Sequence, residues 1–284
     1  PDAPTQERLF GKSVHGAVKK ALAIRQQLRA MPIRDIRDVE AMANLDASAR
    51  AKLEVATDLA NAFIGAVFTT TSDSALESRL AVFASEADQV AADDGGECLA
   101  TLRRRAAEDL TTDSPNARAR TPFHWPLEFP EVFDGGGFDA VVGNPPFMGG
   151  RILGRRLGMT YQEFLKIIRN DVVGSPDLCA YFFLRAFAIL HASGHFGLLA
   201  TKSISETGSR IVCLDQILKA GGTIYRAEAR VPWPGRAAVV VSIVWVARTW
   251  SGSAILDGEE TPSINGGLQQ NLQLKKPFKL TIEP

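Results

Sequence analysis

The segment Asn144-Pro145-Pro146-Phe147 has residue types that suit the binding of a planar amine. It follows a short β-rich run, Phe138 to Val142, and its two consecutive prolines fix the backbone and prevent further strand pairing. The Asn144 side-chain carbonyl and the Pro145 main-chain carbonyl could accept the two hydrogens of an amino group, and Phe147 offers a flat face for stacking. Open α/β folds bind ligands at the carboxyl ends of their strands. The alternative is an ordinary proline turn, which the residues alone leave open.

Other reactive side chains do not form a familiar site. His191 and His195 are separated by Gly194 at the end of a predicted helix, so we expect no metal pair. The three cysteines (Cys98, Cys179 and Cys213) lack CxxC spacing, and we interpret them as reduced thiols in a cytoplasmic protein. Gly11-Lys12-Ser13 lacks the upstream glycine and the strand of a phosphate-binding loop.

The composition is that of a globular protein. Of 284 residues, 45% are hydrophobic, and 32 Lys and Arg balance 32 Asp and Glu, so no global positive field indicates a nucleic-acid partner. The longest apolar stretch, Ala237 to Ala247, is too short for a membrane helix, and we expect no membrane partner. The chain begins at Pro1 without Met, and we expect it to be a fragment of a longer protein.

The chain is expected to be helical up to about residue 120 and mixed α/β after it. Apolar residues at helical spacing, with few Gly and Pro, predict helices at the start. Later β-rich runs alternate with helical patterns, which predicts an α/β layer fold whose last two strands form a hairpin. The predicted helices are Val14–Ala30, Asp46–Phe68, Ser74–Val90 (capped by Ser72 or Ser74), Glu97–Leu110, Tyr161–Arg169, Asp177–His191 and Ser209–Leu218; the predicted strands are Phe138–Val142, Phe196–Ala200, Thr223–Val231 and Ala237–Val246.

With these elements in this order, the chain resembles the adenine-N6 DNA methyltransferases, over roughly residues 121 to 250. Asn144 to Phe147 resembles their motif IV, and Val231-Pro232-Trp233-Pro234-Gly235 resembles motif VIII. The set is most similar to the methylase part of fused, type IIG-like restriction–modification enzymes and their phage-defence relatives. The resemblance implies an incomplete Rossmann-like S-adenosylmethionine-dependent methyltransferase sheet with a mainly helical N-terminal segment.

The resemblance also implies roles for individual residues. Asn144 and the Pro145 carbonyl would bind the amine of a flipped-out adenine, in a turn shaped by Pro146. Phe147 would stack on one face of the base and Trp233 on the other, although Trp233 could equally cap a core. A predicted Gly-rich loop after the turn contains three candidate contacts to DNA phosphates, Arg151, Arg155 and Arg156. Simple exposure to solvent explains these arginines equally well. For Arg103 to Arg105 we favour a solvated helix face.

One expected feature of that family is absent from the sequence. We find no Gly-rich turn after a first strand, so the main S-adenosylmethionine motif is expected upstream of Pro1, and whether this fragment is active alone stays open. The expected domains are a helical segment (1–120), the methyltransferase core part (121–250) and a polar tail leading towards target recognition (251–284). We expect double-stranded DNA as a partner, with other restriction–modification or defence subunits as further candidates. The alternatives are an RNA or protein-glutamine methyltransferase and a non-catalytic DNA-binding subunit of a defence complex.

Overall fold

The chain forms two compact units, seen in a computed structural model that describes residues 9–70, 72–93, 96–114, 118–169, 172–233 and 239–271. The helical unit comprises Pro1–Gly136 with Leu153–Ile167, and the sheet unit comprises Gly137–Ile152 with Ile168–Pro284. The domains expected from sequence, divided at residues 120 and 250, are functional divisions that compactness does not test. They stay a prediction.

The helical unit is built on long amphipathic helices. Asp35 caps α2 by accepting the backbone N–H groups of Arg37 and Asp38, and Ser72 caps α3 by accepting that of Ala75. Ser72 is one of the two cap residues that the sequence predicted. The helices up to the start of the sheet are α1 (Leu9–Ala30), α2 (Ile36–Phe68), α3 (Asp73–Ala92), α4 (Glu97–Thr111), α5 (Trp125–Glu128) and α6 (Pro130–Asp134).

The core of this unit lies where α2, α3 and α4 meet. One apolar side chain from each helix illustrates it: Leu59, Phe83 and Leu102 are all buried. Burial of such a shared stripe, more than intrinsic helix propensity, stabilises helices of this length. No helix in the described part of the chain combines the length and the apolar character needed to cross a membrane.

The sheet unit contains six strands in the order β1-β2-β4-β3-β5-β6. β1 and β2 are parallel, β4 is antiparallel to both β2 and β3, and β5 is parallel to β3 and antiparallel to β6. The elements from the start of the sheet onwards are β1 (Phe138–Gly143), α7 (Gly150–Leu157), α8 (Met159–Ile168), α9 (Leu178–Ile189), β2 (Leu190–Thr201), a 3-10 turn (Lys202–Ser205), α10 (Thr207–Val212), α11 (Leu214–Lys219), β3 (Thr223–Pro232), β4 (Val240–Ala247), β5 (Ala254–Leu256) and β6 (Glu259–Thr261).

This architecture confirms the α/β fold class and the helical N-terminal part, and it is consistent with a Rossmann-like methyltransferase sheet. One set of alternating strand side chains, including Phe196 of β2 and Val244 of β4, forms a core with the apolar residues of α9 and α11. The tail after β6 contributes Ile264 and Leu268 to the same core. β1 is the end strand of the described sheet, and its Val142 side chain is 88% exposed.

Several predicted boundaries in the sheet unit are wrong. Helix α9 ends at Ile189 and not at His191, which lies in β2. β2 is twelve residues long because pairing with β1 extends it back to Leu190, past Ser193 and Gly194, which are weak strand formers. The predicted helix Ser209–Leu218 is two short helices, because the backbone of Cys213 leaves the helical conformation at φ −120° and ψ −82°.

Gly137 begins the sheet unit at a point where two backbones nearly touch. Its φ is +123°, a region that residues with a Cβ rarely adopt. A Cβ placed there would lie 2.7 Å from the His191 nitrogen and 2.7 Å from the Ile189 oxygen. The chain therefore needs glycine here for both its conformation and its size if β1 is to start beside β2.

We expect Gly137→Ala to lower the free energy of unfolding by about 3 kcal/mol or more, since the backbone must move as well as accept a strained φ. Gly221→Ala is the matched control. Its φ is +88° but nothing lies within 4 Å of an added Cβ, so it should cost only about 1 kcal/mol. Urea denaturation of both variants measures the difference, and equal losses would contradict the close approach.

Candidate functional site

The sheet topology brings three chain segments to one edge. β1 and β2 are parallel, so Asn144, directly after β1, and Thr201, the last residue of β2, lie at the same end of the sheet. β3 and β4 form an antiparallel pair in which Pro232 lies opposite Val240, at that same end. The predicted motif IV turn and Trp233 therefore share the edge where open α/β folds bind ligands.

The turn after β1 leaves two hydrogen-bond acceptors free. Pro145 is buried and anchors the turn, while Asn144 is exposed and the Phe147 ring is 37% exposed. Among the described residues, no group donates to the Asn144 side-chain oxygen or to the Pro145 carbonyl. Two unpaired acceptors next to a half-exposed aromatic face are the groups that a planar amine requires.

The other end of the turn is held by Asp177, which the sequence analysis missed as a site residue. Its Oδ1 accepts the backbone N–H of Met148 at 3.0 Å and that of Cys179 at 3.1 Å. The predicted helix begins with Asp177 as its first residue, whereas Asp177 is the N-cap of α9. An Asp before an apolar helical run signals a cap, but nothing in the sequence signals the bond to Met148.

Trp233 lies at the edge but beyond the immediate reach of the turn. Its ring is 40% exposed, and its backbone N–H donates to the Val239 carbonyl at 3.0 Å. Three strand spacings separate β1 from β3, about 14 Å in all. Within the described residues the rings of Phe147 and Trp233 make no contact, and the last two residues of the predicted motif VIII, Pro234 and Gly235, lie outside those residues. A stacking role for Trp233 stays a prediction.

The three arginines expected to follow the turn in a loop are instead on α7, so that prediction is corrected. The segment is helical because its Leu153 is buried and Gly154 lies against the side chains of Gln162 and Met159, where a larger residue would collide. The three guanidinium groups are exposed, and within the described ranges no acidic side chain pairs with them. They belong to Arg151, Arg155 and Arg156.

Two arginines of α4, unlike those of α7, form ion pairs with acidic side chains. Arg103 forms ion pairs with Glu54 at 2.7 Å and with Asp58 at 2.6 Å, and Arg105 pairs with Glu86. These guanidinium groups are already neutralised by neighbouring helices, so the three arginines of α7 are better candidates for binding phosphate.

Cys179 lies beside Asp177 and is fully buried. Burial, and secondarily the nearby Asp177 carboxylate, raises the pKa of the Cys179 thiol to about 12. It is therefore a protonated thiol at neutral pH and not a nucleophile.

Among the described residues, the glycines before α4 and before β1 do not form the cofactor loop expected of a methyltransferase. Gly135, Gly136 and Gly137 come before β1 and not after a strand, and Gly137 serves the close approach to β2. Gly95 lies outside the described residues, and Gly96 precedes α4 without a strand before it. We assign none of the described residues to S-adenosylmethionine.

Comparison with known proteins identifies relatives of this arrangement. The chain is 32% identical over 89 residues to a putative type II restriction enzyme and methyltransferase of Methanocaldococcus jannaschii. The aligned region covers 31% of this chain and 7% of that protein. The chain thus spans less than a tenth of that relative. The structure of the type IIL restriction–modification enzyme MmeI in complex with DNA matches with a TM-score of 0.43 and 18% identity, over 66% of this chain and 28% of that one. The sequence profile of the Eco57I restriction-modification methylases matches residues 47–219, more than half of the chain. The chain belongs to the Eco57I restriction-modification methylase family.

Proposed function

We propose that this chain supplies the target-base site of a DNA methyltransferase that methylates the N6 amino group of adenine. The observation that carries the proposal is the pair of unbonded acceptors, the Asn144 side chain and the Pro145 carbonyl, beside the exposed face of Phe147. The family match supports DNA methylation in a restriction–modification setting. Phage defence is a further setting that the family resemblance suggests.

The two acceptors would act on the adenine amine directly. Each would accept one N–H hydrogen, which concentrates electron density on the nitrogen and orients its lone pair for attack. The nitrogen becomes cationic when the methyl is transferred and can release a proton then, so the site needs no strong general base. This agrees with a turn that offers amide and carbonyl oxygens and no histidine.

The exposed Phe147 ring would hold the base outside the helix. An enzyme that modifies a base amine has to rotate the nucleotide out of the stack, at a cost of a few kcal/mol. Stacking on Phe147 offsets part of that cost. Trp233, at the same edge, is the candidate for the second face, if its loop reaches across from β3.

The exposed arginines of α7 favour DNA as the macromolecule. They follow the turn along the chain after only a short glycine segment, and they are unpaired within the described residues. Free guanidinium groups bind phosphate oxygens and fix the register of a protein on a duplex without reading its sequence.

The methyl donor follows from the family resemblance. When bound, S-adenosylmethionine would supply an electrophilic methyl group on sulfonium sulfur. No described residue fits its glycine-rich loop, so we assign the described residues to the base side of the reaction.

The proposal is tested by a methyl-transfer assay with radiolabelled S-adenosylmethionine on the full-length protein, with duplex DNA and RNA as substrates. We expect label in N6-methyladenine of DNA, identified after digestion by mass spectrometry. Asn144→Ala should abolish the signal while unfolding close to wild type, because the exposed side chain has no partner within the described residues. Asn44→Ala, an exposed asparagine of α2, is the control and should retain activity.

Each other outcome of this assay contradicts the proposal. Label on RNA alone indicates an RNA methyltransferase. Absence of label on either nucleic acid, from a folded protein, indicates a protein substrate or a non-catalytic subunit. Full activity of Asn144→Ala removes the turn from the mechanism.

Phe147→Ala should slow methylation by the loss of stacking on one base, of order 1–3 kcal/mol, or about fivefold to 150-fold in rate. The measurement is a single-turnover rate on duplex DNA. Phe123→Ala removes an exposed phenylalanine of the helical unit, 56% exposed, and should leave the rate unchanged. Equal rates for Phe147→Ala and wild type would remove the stacking role.

The arginines of α7 can be tested through the salt dependence of DNA binding. Replacing Arg151, Arg155 and Arg156 together with alanine should reduce the slope of log K against log salt by up to about 3, since each phosphate contact contributes about 0.9. The control replaces Arg103 and Arg105, whose charges are already paired, and should leave the slope unchanged. An unchanged slope in the triple variant would exclude these phosphate contacts.

A further inference from the structure

Met148, directly after Phe147, has both of its backbone polar groups bound to the start of α9. The Met148 N–H donates to Oδ1 of Asp177 at 3.0 Å, although the two residues are 29 positions apart. In return the Leu178 N–H donates to the Met148 carbonyl at 2.8 Å. The two peptide units that flank the Met148 Cα are therefore each bonded to one short segment, Asp177 to Leu178.

A second close approach lies two residues further on. A Cβ at Gly150 would lie 2.5 Å from the carbonyl oxygens of Ser175 and Pro176, so only glycine lets these backbones come together. The segment from Met148 to Gly150 is thus packed along Ser175 to Leu178. Pro176 is itself fully buried, so the supporting segment is part of the core.

Asp177 is in turn held by α10 and by the end of β2. Its backbone N–H donates to the Ser209 hydroxyl of α10 at 3.1 Å, and its Oδ2 lies 3.5 Å from the Thr201 hydroxyl at the end of β2. The residue is only 7% exposed. A carboxylate bound in this way cannot rotate freely, and neither can the Met148 amide that it accepts.

These contacts bear on the Phe147 ring through the backbone. The two prolines before Phe147 have fixed φ angles, and the bound Met148 amide restricts ψ of Phe147 itself. The backbone is therefore restrained on both sides of Phe147. The ring keeps its position relative to the Asn144 and Pro145 acceptors only while both restraints hold.

We propose that Asp177 is a positioning residue of the methyltransferase, which fixes the Phe147–Met148 peptide so that the Phe147 ring lies correctly for the flipped base. This inference rests on the proposed function and adds a residue to it. Asp177 does not touch the base. It acts through Met148 and Phe147, and its capping of α9 is a separate role.

Two substitutions separate the cap from the positioning role. Asp177→Asn keeps a carbonyl oxygen that can accept both amides, so it should methylate within about threefold of wild type. Asp177→Ser keeps a good N-cap, but its oxygen is one bond nearer the backbone and withdraws from Met148. We expect Asp177→Ser to slow single-turnover methylation by tenfold to a hundredfold, on the order of the losses caused by small misplacements. Asp35→Ser makes the same change at a residue that only caps α2, and should retain the wild-type rate.

A double-mutant cycle shows whether Asp177 acts through Phe147. In a Phe147→Ala protein the ring is gone, so adding Asp177→Ser should slow the reaction much less than it does in wild type. Multiplicative effects would overturn the proposal, because they indicate a general structural loss. So would a wild-type rate for Asp177→Ser, or an Asp177→Asn enzyme as slow as Asp177→Ser, which would assign the effect to the charge.

Hydrogen exchange at the Met148 amide tests the contact without any activity. Asp177→Ser should accelerate this exchange by about tenfold, the loss of one charge-assisted hydrogen bond, while Asp177→Asn should not. If Asp177→Ser accelerates exchange of the Met148 amide but the wild-type protein methylates no DNA, the contact is confirmed and the proposed function is refuted. An unchanged amide in an active enzyme would refute the positioning role alone.

Discussion

Parallel pairing of β1 with β2 determines where every group of the proposed site lies. It brings the end of β1, and with it the proline turn, next to the end of β2, and the antiparallel β3–β4 pair returns Trp233 to the same edge. The pairing depends on two glycines at its start. A side chain at Gly137 would strike the backbone of β2, and a Cβ at Gly194 would lie 2.6 Å from the Phe138 carbonyl. Chemistry at one end of the strands thus depends on the absence of side chains at the other.

The turn has to be rigid while its acceptors stay free, and the structure meets the two requirements with different residues. Rigidity comes from proline rings, from the buried Pro145 and from Met148, whose amide and carbonyl are both bonded. The Asn144 and Pro145 oxygens take no part in this internal bonding within the described residues. A site arranged in this way does not have to break its own hydrogen bonds when a substrate amine arrives, which is the physical content of preorganisation.

The sequence predicts the parts of this site that are local. Prolines end β1 whatever surrounds them, and apolar spacing predicts α1 to α4, although their ends shift by up to ten residues where exposed positions weaken the pattern. Prediction from the sequence fails where tertiary contacts determine the local conformation. α7 looks like a loop because of Gly150 and Gly154, yet burial of Leu153 makes it a helix. The bond between Asp177 and Met148 joins residues 29 positions apart, and no pattern of residue types reports such a contact.

β1 has a consequence for the behaviour of these 284 residues in solution. It is the end strand of the described sheet and carries the 88% exposed Val142. No strand pairs with its outer side within the described residues, and such an edge offers its backbone to an extended peptide, including a second copy. The same prolines that shape the turn also limit that edge to six residues, so they guard against fibre-like assembly.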